Sequence, residues 1–388
     1  MDRRRFLENS ALAGAGLLLG KHVVSAMPAQ KKIVLPRMKL QWCGFKTTRP
    51  FMPDVDHNGI LWCGSADHFF SLNTKSMNVE QHETAYLENN PFSTCLCQGD
   101  KVYILAQKSP RLYVYHSVKK EFSKFNLPDP ESNIWFGVRV PNDPRLYLYV
   151  RNRDKLLVWD SEREAGTEIA YPEKMGLWSG FDIADDRAIY SFTSPDAKPC
   201  RLVRFDLQKQ QFDAPISAPE PGLEITGVNP IGDTVYCADR FTGRIIPYNF
   251  VQRQWRKPIQ IPGFKKVFGF IGMGTIYNGM ALYCLSSYKG LMKWNFDSNK
   301  YLSTGEENIG IDGKPHHFLN KYLVFDPRTQ EAGFLEAPET PGKRYPLICY
   351  SKVHNGRLFI SGYDLGDVEN NLAPMGEREG ELCVFHSV

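Results

Sequence analysis

After its first thirty residues the sequence contains no run of 18 apolar residues, so no later segment can form a membrane-crossing helix, which needs about 20. It has no Cys-x-x-Cys pair, and its nine cysteines are an odd number that cannot all pair. Most of them sit inside apolar runs such as Val235-Tyr236-Cys237 and Leu282-Tyr283-Cys284 and read as small buried hydrophobes. No basic block stands out from a formal net charge of +4, which argues against a nucleic-acid partner. There is no glycine-rich phosphate loop, no Ser-His-Asp order, no Gly-x-Ser-x-Gly elbow and no His-x-x-x-His. The common signatures of nucleotide, acyl-transfer and zinc chemistry are therefore absent.

Aromatic residues are plentiful, at 13 % of 388 residues, and Tyr, Phe and Trp dominate the apolar segments. Such side chains suit pleated, half-buried surfaces. The N-terminus is different in character. Asp2-Arg3-Arg4-Arg5-Phe6-Leu7-Glu8 resembles a twin-arginine export signal, and a modest Ala- and Gly-rich apolar run follows from Ala11 to Gly20. Val24-Ser25-Ala26 offers a cleavage point, so residues 1–26 read as a signal peptide and 27–388 as one folded domain. The resemblance implies transport by the twin-arginine machinery of a chain that folds before export, and a periplasmic or secreted location. An uncleaved N-terminal anchor is the alternative.

Two anchors recur along the rest of the chain. The first is a turn followed by an apolar pair: Leu61-Trp62, Val102-Tyr103, Leu146-Tyr147, Ile189-Tyr190, Val235-Tyr236, Leu282-Tyr283 and Leu358-Phe359. The preceding Gly, Asn or Asp supplies the left-handed backbone of a tight hairpin. The second is an apolar residue followed by a turn-former: Leu72-Asn73, Tyr115-His116, Trp159-Asp160, Phe205-Asp206, Tyr248-Asn249, Phe325-Asp326 and Phe385-His386. Each anchor occurs seven times, mostly at steps of 41 to 47 residues. Four short strands per unit at that period indicate an all-β, seven-bladed β-propeller. The last unit has no room for a fourth strand, so the N-terminal segment, residues 32–42, is expected to supply it beside 381–386 and close the ring.

The stretch Asn58-Gly59-Ile60-Leu61-Trp62-Cys63-Gly64 resembles the repeats of streptogramin-lyase-type and two-component-regulator-type propellers. The resemblance covers one blade and implies the architecture; it carries no catalytic residue across.

The repeat is interrupted twice. From first to second anchor the sixth unit spans 42 residues, Tyr283 to Phe325, and the seventh spans 26, Phe359 to Phe385. Both insertions fall between second and third strands and so should emerge on one face. A second reading takes Phe296-Asp297 as the sixth anchor and makes His316 to Ala337 an extra hairpin or a remnant eighth blade. Long loops on a rigid scaffold carry function. The loops of that face bring Tyr288, His316 and His317 as candidate proton-transfer residues, and His68, Arg153, Arg240 and Tyr363 as candidate substrate contacts.

Arginine's planar fork binds carboxylates in two-point contact. His and Tyr transfer protons when held near a C–H bond. Together they fit an anionic carbohydrate acted on by a lyase- or glycosidase-type propeller. A noncatalytic propeller that binds a glycan or a protein is the alternative, and a redox or metal enzyme is a third. No carboxylate lies at a metal-ligand spacing from His316 and His317, and the sequence names no cofactor.

Overall fold

The computed structural model describes residues 38–48, 52–65, 68–83, 92–106, 109–132, 134–150, 154–174, 181–193, 200–223, 225–239, 244–260, 275–277, 279–284, 292–295, 300–303, 321–336, 347–363 and 379–387. The expected signal segment lies outside them. Among these residues there is no helix long and apolar enough to cross a membrane.

The sheets form seven antiparallel blades. Blade 1 runs Asp54–Val55, Ile60–Gly64, Phe69–Asn73, Val79–His82 from axis to rim. The innermost strands of blades 2 to 7 are Phe92–Gln98, Ile134–Arg139, Phe181–Ala184, Ile225–Ile231, Thr275–Tyr277 and Leu347–His354. Each inner strand neighbours the next in chain order, and that of blade 7 neighbours that of blade 1, so the ring closes. The chain is a seven-bladed β-propeller.

Closure uses the N-terminal segment, as expected. Met38–Trp42 pairs antiparallel with the last strand, Glu379–Ser387, in the register Met38 with Ser387 and Trp42 with Cys383. Beyond it the Cys43 amide donates to the Leu382 carbonyl at 3.0 Å, and the Gly44 amide to the buried Glu381 carboxylate at 2.6 Å. Thr47–Thr48 then pairs with Glu379 and Gly380.

Between second and third strands, blade 6 carries an inserted hairpin. Met280–Cys284 pairs directly with Lys321–Asp326, setting Ala281 opposite Phe325, while Met292–Asn295 and Lys300–Ser303 form a separate two-stranded sheet. Phe325-Asp326 is thus the sixth anchor, and the alternative parse with an extra hairpin over 316–337 does not hold. It misplaced the insertion because Phe296-Asp297 has the anchor's composition at the spacing of an ordinary blade.

Burial falls from axis to rim. The two middle strands of blade 2, Lys101–Ala106 and Arg111–His116, are buried on both faces, whereas its rim strand Glu121–Asn126 is half exposed. A strand with both faces covered reads as a continuous apolar run. The core lies between blades. Tyr147, Tyr149 and Leu156 of blade 3 pack on Ile189, Val203 and Phe205 of blade 4, and Tyr190 and Leu202 of blade 4 on Val235 and Ile246 of blade 5. At Gly137 the packing leaves no room for a side chain, because an added Cβ would lie 2.5 Å from Leu96 and 2.7 Å from Leu148.

The polar residue of the second anchor opens the rim turn. Asn73 Oδ1 accepts the amides of Lys75 and Ser76, and Asp206 Oδ1 those of Gln208 and Lys209, at 2.9–3.0 Å. Four residues past the anchor, in six blades, a non-glycine residue takes a left-handed backbone: Met77, Lys120, Glu164, Gln210, Arg253 and Gln330, with φ between 52° and 62°. That conformation costs about 1–2 kcal/mol per residue, so the turn is set by tertiary pairing rather than by local preference.

Deleting Met38–Trp42 would expose an unpaired edge on the last strand and remove five register pairs. At about 1 kcal/mol per lost hydrogen bond and about 2–4 °C per kcal/mol, the melting midpoint should fall by roughly 10 °C or more. Thermal melting of the truncated chain checks this; an unchanged midpoint would show that the ring closes without the strand.

Candidate functional site

The first anchors also position the groups around the axis. In six blades one inner-strand residue pairs opposite the anchor's aromatic ring: Asp54 with Trp62, Leu96 with Tyr103, Val138 with Tyr147, Asp182 with Tyr190, Asn229 with Tyr236 and Lys352 with Phe359. Because side chains alternate along a strand, these residues occupy equivalent places, each leaning toward the following blade. Leu96 packs with blade 3, Val138 packs with blade 4, and Asp54 accepts a bond from blade 2. Two of the six are apolar. Three are ionisable, in strands otherwise built for burial.

Asp54 is the centre of the charge. Its side chain is 2 % exposed, with Lys352 Nζ 2.5 Å from Oδ1 and Arg139 Nε 3.0 Å from Oδ2. The Cys97 amide donates to Oδ2 at 2.9 Å, and Arg139 Nη2 donates to the Val55 carbonyl at 3.3 Å. Burial alone would raise the Asp54 carboxyl; the ammonium, the guanidinium and the amide outweigh it and hold the group below the ordinary carboxylate range. Blades 7, 1, 2 and 3 are thus tied at one point. Asp56, two residues on, directs its carboxylate to neutral donors, the amides of Asn58 and Ile60 and the Trp62 indole.

The cations are not enclosed. The side chains of Arg139 and Lys352 are 32 % and 35 % exposed. An ammonium has three N–H donors and a guanidinium five. Asp182, on the inner strand of blade 4, is partly exposed. Its Oδ1 accepts the Ile183 amide at 2.8 Å. Burial pushes its carboxyl up to about 6, and the Ile183 amide and the charge of Lys352 only partly offset that. Asn229, on blade 5, is fully buried, and neither atom of its amide has a hydrogen-bond partner.

This cluster lies toward the end of the channel where the inner hairpins turn, opposite the end from which the second-to-third-strand loops emerge. Of the sequence-derived candidates, Tyr288, His316, His317, Arg153 and Arg240 lie outside the described residues, as does the side chain of Tyr363. His68 is half-buried; its Nδ1 is 3.2 Å from Thr47 Oγ1 and its ring meets Phe45 edge-on at 5.4 Å. The closing segment therefore holds it. Two further arginines of the loop face are engaged by carboxylates, Arg201 by Glu173 at 3.4 Å and Arg244 by Glu220 at 3.0 Å. Among the described residues no group of three His, Cys, Asp or Glu could hold a metal ion. Cys43, Cys63, Cys95, Cys97, Cys200 and Cys237 are free thiols.

Sequence reasoning selected none of Asp54, Arg139, Asp182, Asn229 and Lys352. The available signal was a polar residue opposite the anchor aromatic in four blades, which requires the strand register to see.

No family model matches the chain, and neither does any curated protein. Solved structures do. Virginiamycin B lyase from Staphylococcus aureus superposes with a TM-score of 0.59 at 12 % identity, over 89 % of this chain and 99 % of that one. A streptogramin B lyase structure gives 0.60 at 10 % identity, over 90 % and 97 %. At these identities the likeness is one of fold. It agrees with the resemblance of the Asn58–Gly64 stretch at that level.

Two substitutions test the energetics. Asp182 has its folded pKa raised, so its contribution to stability is complete below about 4 and is lost as pH rises through about 6. Asp182→Asn should therefore raise the melting midpoint at pH 8 and leave it nearly unchanged at pH 4; calorimetry at both pH values decides. Asn229→Leu removes two buried unpaired polar atoms and should stabilise by about 1–3 kcal/mol, read from denaturant unfolding.

Proposed function

We propose that the chain is an exported propeller that acts on an anionic carbohydrate, by lyase-type chemistry. The observation that supports it is the pair of partly exposed cations, Lys352 and Arg139, meeting a single buried carboxylate on the axis with donors to spare. A uronate carboxylate suits such a pair, since charge-assisted contacts to carboxylates are among the stronger hydrogen bonds. At the loop end, Arg153 and Arg240 are proposed to neutralise the carboxylate of the reacting uronate, which acidifies its adjacent C–H bond. In β-elimination a base removes that proton, a carbon–carbon double bond forms, the neighbouring C–O bond breaks with its electron pair on the leaving oxygen, and that oxygen is protonated. Tyr288, His316 and His317 are proposed for the proton transfers, and His68, Arg153, Arg240 and Tyr363 for substrate contacts at the loop end. The lyase activity named for the two structural neighbours is compatible with this reading.

Export rests on the Arg3-Arg4-Arg5-Phe6-Leu7 segment, with residues 1–26 removed and 27–388 delivered folded to the periplasm or beyond. Its partners are then the twin-arginine machinery and the glycan.

Incubation with polyuronates should produce the ultraviolet absorbance of an unsaturated uronate, and incubation with neutral polysaccharides should not. His316→Ala combined with His317→Ala should lower the rate at least about 100-fold, the scale of general acid–base catalysis. Binding of polyuronate without any unsaturated product would favour a noncatalytic glycan-binding propeller.

A further inference from the structure

We propose that Lys352 and Arg139 form a carboxylate-binding site inside the central channel, specific for a small hydroxy acid of the uronate class, and that the Asp182 side chain gates it. The proposal deepens the reading above, resting on the same cation pair and the same ligand chemistry, but it stands whether or not the chain is catalytic.

The geometry points there for three reasons. The first is donor count. Asp54 engages Lys352 through one oxygen and Arg139 through the other, and Arg139 further donates to Val55. One carboxylate cannot saturate an ammonium and a guanidinium, which together carry eight N–H donors. The second is access. Asp54 is buried at 2 %, whereas the Lys352 and Arg139 side chains are 35 % and 32 % exposed, so a ligand can reach the cations but not the carboxylate between them. The third is the surrounding chemistry. Leu96 and Val138 line the equivalent positions in blades 2 and 3, so the polar places lie with blades 7, 1, 4 and 5, and Asn229 of blade 5 is fully buried. An acid held by Lys352 and Arg139 therefore finds Asp182 as the hydrogen-bonding side chain for a hydroxyl.

The gate follows from what faces Asp182. Its own strand supplies the Ile183 amide. Opposite it in blade 4 stands Tyr190, whose hydroxyl is directed to Asp186. Blade 3 presents Arg139, already tied to Asp54, and the blade 5 inner strand Ile225–Ile231 carries no ionisable residue. The charge of Lys352, from blade 7, also acts on it. Protonated, Asp182 donates a hydrogen bond and leaves Lys352 to the ligand. Ionised, it both repels a bound carboxylate and competes for Lys352. Its carboxyl titrates near 6, inside the range where such a change is felt. Asp54 stays ionised through that range, while burial and the lysine's charge lower the pKa of His354, beside Lys352, below the ordinary imidazole value.

The test is isothermal titration of the full-length protein with sodium D-glucuronate, with D-glucose and acetate as controls, at pH 5.0 and 7.5. Glucuronate should bind at least tenfold more tightly at pH 5.0, with glucose not binding and acetate binding more weakly than glucuronate. Asp182→Asn should abolish the pH dependence and keep the tighter affinity at pH 7.5. Removing Lys352 alone strands the Asp54 charge, so the paired variant Asp54→Asn with Lys352→Met is used; it should lose binding at least tenfold at both pH values while still melting cooperatively. No glucuronate binding, equal affinity for glucose, or the same pH dependence in Asp182→Asn would each overturn the proposal. Glucuronate bound as described by a protein that yields no unsaturated product would leave this site standing and remove the lyase reading.

Discussion

Every blade has two apolar faces, and nothing in its own sequence covers either. This constraint organises the molecule. Tyr147 and Tyr149 are buried only because Ile189 and Phe205 of the next blade meet them, and the same holds from blade 4 to blade 5. A partial ring would leave two such faces in water. At about 25 cal/mol per Å² of apolar surface, that exposure rivals the net stability of a domain. The ring must close, and the closing bonds from Met38–Trp42 to the last strand follow from that need rather than adding to it.

A ring of radial sheets has an axis, and the axis is where the apolar logic relaxes. The inner strands approach one another there, yet water still reaches some of their side chains. Asp54 is stabilised in this setting only by convergence of Lys352, Arg139 and an amide from three other blades. Asn229 has no such support, and Asp182 has it in part. Groups of this kind weaken a fold, and natural proteins tend to keep such residues where function requires them. The contrast with Leu96 and Val138 at equivalent places shows that the architecture itself does not demand polarity there.

The blades were legible in the sequence because each is local. A turn-former, an apolar pair and a second turn-former lie within about fifteen residues, and strand alternation follows from period two. The closing strand was legible by subtraction, since the unit ending at Phe385-His386 lacked an edge. The hairpin at Met292–Asn295 and Lys300–Ser303 was not, because Phe296-Asp297 carries the composition of an anchor without its pairing. The axial cluster was hidden for a different reason. Asp54, Arg139, Asp182 and Lys352 are separated by whole blades, and each looks like a stray polar residue in an apolar strand until its register is known. The left-handed residues four places past six of the second anchors were equally silent, because Lys120, Glu164 and Gln210 have no local preference for that backbone.

Ring closure by the N-terminal strand also sets an order of events during synthesis. Met38–Trp42 leaves the ribosome early, but its partner, Glu379–Ser387, is made about 340 residues later. At about 5–20 residues per second, the strand waits roughly 20–70 s with its backbone donors and acceptors unpaired. Throughout that interval six blades can stack in turn, while the face of blade 1 that will meet blade 7 stays uncovered. The nascent chain is thus an open arc with two adhesive ends, liable to pair with a second arc as readily as with itself. Folding yield should depend on chain concentration and on how quickly the final strand is delivered, more than on the stability of any single blade.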